Sequence, residues 1–510
     1  MKLKWKFIDN EANENEGLAN SGIETFRDAP FSSIARECGQ NSIDAVLDES
    51  TPVKLTFERI VVPTCEVPDI DGLREVVNNC LEKSVSKSYK KEIAFFENAK
   101  KILNDESISI LRIVDSGTRG ITGPCKEGTP YYALVRSTGV SEKQNDTAGG
   151  SFGIGKNAAF AMSPLRTVFY STNYCNKKDG IDFLCQGKTI LISHENSDKK
   201  KFRGTGYCGN NDYSPTESAE ELPKWLKVDG IGSAVVIIGF DAEREWEEKI
   251  AESLLRNFFS SIHSGDVIFN VDNKYIINNL SIGDLFKKKE IIKSVESSGS
   301  DRLSFANSLY RCISSDLSIK EEKFISDLGK FRLSILVENG LEKQVGFIRN
   351  GMYITNELTN FKDKMKRFYS FKDFVAVIEP VDTKSISLIR ATENPKHDEF
   401  SPSRIDDPSE RKQVIKGFNE LTSWAKNRIK EFTTPPPKDE IILEEMNDFF
   451  SDQDGKDIID SDEGENNLES IKIKKINLKV TTIGDKKNKS FDDGDGDGDG
   501  DGDGDGDGDG

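Results

Sequence analysis

Hydrophobic positions in the first half of the chain switch repeatedly between a helical and a strand period. Over residues 26–49, Ile34, Ala35, Ile43, Val46 and Leu47 share one face, so the spacing predicts a helix there. Pro52 follows, and residues 53–57 (VKLTF) alternate as a strand does. A charged helical stretch spans about 71–104 and leads to a compact apolar strand at 108–114, closed by the turn DSGTRG at 115–120. The glycine-rich segment GGSFGIG at 149–155 opens a small-residue helix. Strands are predicted at 166–171 and 233–238. Strands and helices interleave to about residue 240, which is mixed α/β patterning.

A second unit starts with an amphipathic helix at 243–263 and continues through strands at 267–271, 331–337, 345–349 and 374–378. Asn350-Gly351 marks a hairpin turn between strands. A closing helix is predicted at 408–433, and the prolines after Thr434 end the folded pattern. Beyond them, dense charge and sparse apolar content predict disorder. Residues 471–480 are the exception, alternating in a way that suits a short strand or a segment that orders on a partner. The expected division is therefore 1–240, 241–433 and 434–510.

Charge sharpens that division. Of the net charge of −18, residues 492–510 carry ten carboxylates in an Asp-Gly run, residues 439–469 hold thirteen acids against one lysine, and residues 470–491 return +6. Residues 1–438 are left at about −2, which excludes a strongly basic nucleic-acid-coating protein on bulk charge. No apolar run reaches the ~18 residues of a membrane span, and the start MKLKWK lacks a signal-peptide core, so a soluble, cytoplasmic protein with no membrane partner is expected. The 8 cysteines form no CxxC pair and only 3 histidines occur, which argues for reduced thiols and against a histidine zinc site.

Three segments carry candidate chemistry. Glu37, Asn41 and Asp44 fall at i, i+4 and i+7, one helix face opposite the apolar stripe. A carboxylate beside a carboxamide suits deprotonation of a water next to a Mg²⁺ held by a neutral oxygen, and the same residues also suit a plain solvated face. Asp115 at a strand end can accept from an exocyclic amine, while Gly117 and Gly120 let a flat base approach the backbone; an ordinary Asp/Gly turn has the same residues. Gly153, Gly155 and Lys156 offer backbone N–H groups and one cation to phosphates. Their spacing is neither a P-loop nor a dinucleotide fingerprint.

In order and spacing these segments, followed by Gly232-Ser233 before a strand, resemble the four motifs of the GHKL ATPases: gyrase, the large heat-shock chaperone, histidine kinases and MutL. The resemblance covers about residues 20–240. It implies an α+β chain in which a Bergerat-fold α/β sandwich, with ATP lying under a lid, precedes a ribosomal-S5-like transducer domain and a disordered acidic tail. It also implies roles. Glu37 would be the general base and Asn41 the Mg²⁺ ligand, with Asp44 a further cofactor-binding residue. Asp115 would read the adenine amine, with Gly117 and Gly120 shaping the pocket. Gly153, Gly155 and Lys156 would hold phosphates, and Ser233, where the family usually has threonine, would support the adenine side. The lid would span about 136–150.

Few residues precede the first motif helix and none is histidine, which disfavours the histidine-kinase branch. The second unit instead resembles MutL and MORC-like ATPases. Residues 346–354 (GFIRNGMYI) look like the family's FVNGR hairpin, and the loop at 393–397 looks like its γ-phosphate loop, shorter by one residue. Lys396 is then the expected γ-phosphate sensor and His397 a structural neighbour. By resemblance the chain would be a Mg²⁺-dependent ATPase switch that dimerises on ATP and acts with DNA and partner nuclease or helicase proteins in bacterial restriction or phage defence. The endonuclease signature of MutL is absent, so cleavage would fall to a partner. Basic clusters at 199–201, 287–289 and 362–367 are candidate phosphate contacts. The alternative is a chaperone-like or scaffolding protein in which nucleotide is structural and the acidic tail recruits partners.

Overall fold

The computed structural model describes residues 3–434 apart from 138–154, 177, 179, 297–300, 370 and 395. Expectations for the acidic tail, for Gly153 and for most of the lid therefore lie outside the described residues.

Ten strands build a large sheet: β1 (Lys4–Asp9), β2 (Val53–Pro63), β3 (Ser107–Ser116), β4 (Thr167–Cys175), β5 (Ile181–Ile190), β6 (His194–Glu195), β7 (Lys201–Gly209), β8 (Gly232–Ile238), β9 (Val267–Val271) and β10 (Tyr275–Ile277). Their order is β1-β7-β5-β4-β8-β3-β2-β9-β10, with β6 paired to β7. All pairs are antiparallel except β2 with β9. Alternation along the strands splits the apolar residues between two faces. Leu55, Phe57, Leu111, Ile113, Val168 and Ile237 face one core, and Ile108, Ile110, Phe169, Ala234 and Val236 face the other.

Helices cover both faces. The first core is closed by α1 (Ser21–Glu24), α2 (Pro30–Asp44), the short α5 (Pro130–Val135) and α6 (Asn157–Ala161), and α7 (Trp246–Ser264). The second is closed by α3 (Ile70–Ser86) and α4 (Lys90–Asn104), which bury Leu73, Val77 and Phe96. Helix α7 is buried on most sides, enclosing Ile250, Leu254, Leu255, Phe258, Phe259 and Ile262 along with the polar Ser253 and Asn257, as a helix wedged between layers is.

Beyond β10 come α8 (Ile282–Leu285), α9 (Lys289–Glu296) and α10 (Asp301–Ser314), then a five-stranded sheet. It contains β11 (Ile319–Ile325), β12 (Gly329–Val337), β13 (Gln344–Arg349), β14 (Met352–Thr355) and β15 (Phe374–Pro380), in the order β11-β12-β15-β13-β14. Helices α11 (Thr383–Thr392) and α12 (Pro408–Thr433) follow. The chain is thus α+β with two sheets. Among the described residues no helix is long and apolar enough to cross a membrane, and all eight cysteines are unpaired.

Three differences from the sequence expectation have local causes. The helix expected over 26–49 is confined to 30–44, because Pro30 sets its first turn and its exit pairs with the turn after β3. There Arg119 N donates to Ala45 O and Leu47 N to Gly117 O. The charged stretch 71–104 is two helices, broken where Ser88 adopts φ +57°. The strand at 267–271, read with the second unit, hydrogen-bonds in parallel to β2 of the large sheet.

Candidate functional site

Asp115 stands at the end of β3 beside β8, a position fixed by the pairing of Val114 with Ala234. Its carboxylate accepts from Ser233 N at 2.9 Å, from the hydroxyls of Ser233 and Thr118, and from Ser42 Oγ of α2 at 3.4 Å. Burial pushes this carboxyl above its ordinary range, opposed by the Ser233 and Thr118 hydrogen bonds. Gly117 and Gly120 shape the floor beside it, with φ of +75° and +66°. A Cβ at Gly117 would lie 2.8 Å from Pro52 O, and one at Gly120 2.5 Å from Asn173 O. Both positions require glycine on conformation and on space. Ser42 and Thr118 were not singled out from the sequence. Thr118 lies inside the DSGTRG turn, the signal that would have found it.

Glu37 lies two turns along α2. It is half-buried and accepts no hydrogen bond from a described residue. Desolvation raises its carboxyl pKa, with His397 and Arg36 opposing. Cys38 beside it is within electrostatic reach of both Glu37 and Asp115, so the two carboxylates flank one stretch of helix. Gly155 presses its backbone against Glu37 so closely that a Cβ there would overlap the carboxylate. Asn41, one turn on, is exposed.

Lys156 precedes α6 and turns its amine to the end of α5, donating to Ala133 O at 2.8 Å and to Ser137 O. Burial lowers its pKa to about 8. A second lysine, missed by the sequence reading, shares the spot. Lys188 of β5 is buried, donates to Val135 O at 2.7 Å, and is lowered to about 7 by burial and by its neighbours Lys156 and Arg136.

The far end of α2 meets the second sheet. Asp44 accepts from Asn350 Nδ2 at 2.7 Å and lies 3.6 Å from Arg349 Nη1, both at the β13–β14 turn. Arg349 also forks onto Glu393 through Nε and through Nη2, the latter at 3.1 Å. His397 Nδ1 is 2.7 Å from Glu393 Oε2 and 3.5 Å from Gln40 Nε2, and Arg36 Nη2 donates to His397 O at 2.6 Å. Lys396 is exposed on this loop. A cavity of about 390 Å³ opens behind Arg36, lined also by Arg256, Arg302, Phe305, Tyr353 and Asp398.

The structure thus brings Asp115, Ser233, Gly117 and Gly120 together, sets Gly155 on Glu37, and turns Asp44 toward the second sheet. Among the described residues no group of three or more His, Cys, Asp or Glu is arranged to hold a metal ion.

No protein-family model matches the chain, and no curated protein matches it. Among solved structures it is similar to the ATPase region of Saccharomyces cerevisiae topoisomerase II, at 12% identity and TM-score 0.35, over 77% of this chain and 86% of that one. It is also similar to the B-subunit of DNA gyrase from Myxococcus xanthus, at 9% identity and TM-score 0.30, over 79% and 96%. Scores this low carry no argument, so the functional reading rests on the geometry around α2 and Asp115.

Proposed function

We propose that this chain is an ATP-binding and ATP-hydrolysing conformational switch of the GHKL type, with a Bergerat-fold ATP-binding domain over 1–240 and a transducer domain over 241–433. The observation that carries it is the anchored Asp115. A carboxylate has about four acceptor sites; on Asp115 the amide and hydroxyl of Ser233 and the hydroxyl of Thr118 take three, and the fourth is met only by Ser42 Oγ at 3.4 Å, above two glycines, which suits its replacement by a donor from a flat base. The exocyclic amine of adenine is such a donor.

Glu37 fits a general base. Its desolvated carboxyl, raised above its ordinary pKa and without a described donor, is disposed to take a proton from water. Asn41 fits a Mg²⁺ ligand, since this ion keeps waters and substrate phosphates as most of its ligands and needs few protein groups. Bound Mg²⁺ would neutralise phosphate charge. Lys156 would have to leave the α5 carbonyls to reach phosphate, and Lys396, on the loop that contacts α2, would sense the γ-phosphate. By the resemblance to MutL and MORC-like ATPases, ATP would drive dimerisation, and the switch would act with DNA and partner proteins in bacterial phage defence. The exposed lysines at 287–289 are candidate contacts for phosphate.

The test is Glu37→Ala in the full chain. The variant is expected to keep ATP binding, lose hydrolysis by about 100-fold or more, and accumulate a dimer in sedimentation. Wild-type turnover would remove Glu37 from the mechanism. Deleting residues 434–510 separates the switch from the tail-centred scaffold, since a switch retains its ATPase activity.

A further inference from the structure

Among the described residues Arg349 is the largest fully buried side chain, 1% exposed, and it joins two acids from different parts of the fold. Glu393 closes α11 and is 0% exposed; Asp44 closes α2 and its side chain is 4% exposed. Burying a guanidinium is costly unless its partners are well placed, and here the bidentate fork to Glu393 and the approach to Asp44 supply them. Burial disfavours the charge on Arg349, yet Glu393 and Asp44 outweigh it and raise the pKa.

The cluster sits between two elements that the proposed reaction uses. One end is the helix of Glu37 and Asn41. The other is the loop of Lys396, whose His397 is clamped by Glu393 and whose backbone carbonyl holds Arg36, the residue before Glu37. The cluster is also incompletely satisfied. Asp44 Oδ2 and both Nη atoms of the neighbouring Arg390 are buried without a hydrogen-bond partner among the described residues. A polar network with unused donors and acceptors is one that can re-pair when the loop shifts.

We infer, on the strength of the ATPase reading, that Arg349 is a positioning residue: it ties Asp44 to Glu393, and thereby registers the helix of Glu37 and Asn41 against the loop of Lys396. It touches no substrate. It governs whether the base and the sensor loop are in place together.

Two variants of the full chain test this. Arg349→Lys keeps the positive charge but loses the planar fork. Asn350→Gly removes only the amide that donates to Asp44, at a residue whose φ of +48° glycine adopts freely. Each is expected to lower kcat about tenfold, as a small misplacement of a reacting group does, while the Kd for ATP stays within about threefold of wild type. A kcat within about twofold of wild type in Asn350→Gly overturns the inference. So does a loss of ATP affinity equal to the loss of kcat, which would make the cluster part of the binding site. If Arg349→Lys does not fold, Asn350→Gly decides alone. A wild-type chain that neither binds nor hydrolyses ATP instead removes the ATPase reading itself, before any variant is compared.

Discussion

The site around α2 has two ends that treat charge in opposite ways. Toward the large sheet, burial pushes both carboxyls above their ordinary range, Glu37 without a donor among the described residues and Asp115 against the opposing pull of its hydroxyl and amide hydrogen bonds. Toward the second sheet, Asp44 and Glu393 share Arg349, and there charge is neutralised. At Glu393 burial alone would raise the pKa, but Arg349 and His397 more than offset it and hold the carboxyl below its usual range. At the first end Glu37 has unmet acceptor capacity, which is what a ligand site needs; the second uses its charges to hold two layers in register.

The contrast breaks most sharply at Arg349. Arg349→Met strands two buried carboxylates and is expected to cost about 3–5 kcal/mol of unfolding free energy in denaturant titration. A loss below about 1 kcal/mol would put that end in the same class as exposed ion pairs. At the other end Gly155→Ala should do the reverse. Its methyl displaces the flexible tip of Glu37 and not backbone, so hydrolysis should fall about tenfold or more with stability changed by under about 1 kcal/mol. Equal loss of stability and turnover would contradict that division.

Protonation gives a smaller and opposite pair of effects. A carboxyl whose folded pKa is raised stabilises the fold at low pH and loses that contribution as pH rises through the folded value. Glu37→Gln should therefore raise Tm at neutral pH, with the gain shrinking on acidification. Glu393, held low, contributes stability above its unfolded pKa that is lost as pH falls through the folded one. Glu393→Gln should accordingly lower Tm at neutral pH and lower it less in acid. Thermal melts across pH check both signs, and a Glu37→Gln variant less stable than wild type at neutral pH would show that the carboxylate has a partner.

Much of the first end is legible in sequence, because its residues act close to where they stand. Glu37 and Asn41 share a helix face, and Asp115 with Gly117 and Gly120 occupies one turn, so spacing alone groups them. The second end is not legible in this way. Asp44 follows the same helical spacing as Glu37, yet its partners Asn350 and Arg349 lie some three hundred residues away, and only tertiary packing selects the second sheet over the ligand cleft. Lys188 escapes for a related reason, since a lysine in a strand reads as an exposed edge until its neighbours bury it. Strands β5, β7 and β11 were also missed, their apolar residues being too few or too scattered to give a period of two.

The central claim is that Asp115 reads an adenine amine, and nucleotide selectivity tests it most directly. Adenine offers a donor at the position where guanine offers an acceptor, which a fixed carboxylate repels. Equilibrium titration of the full chain should show ATP bound at least about tenfold more tightly than GTP, and Asp115→Asn, whose amide can serve either base, should close that gap. Equal affinities for ATP and GTP in the wild-type chain, or a selectivity that survives in Asp115→Asn, would contradict the account.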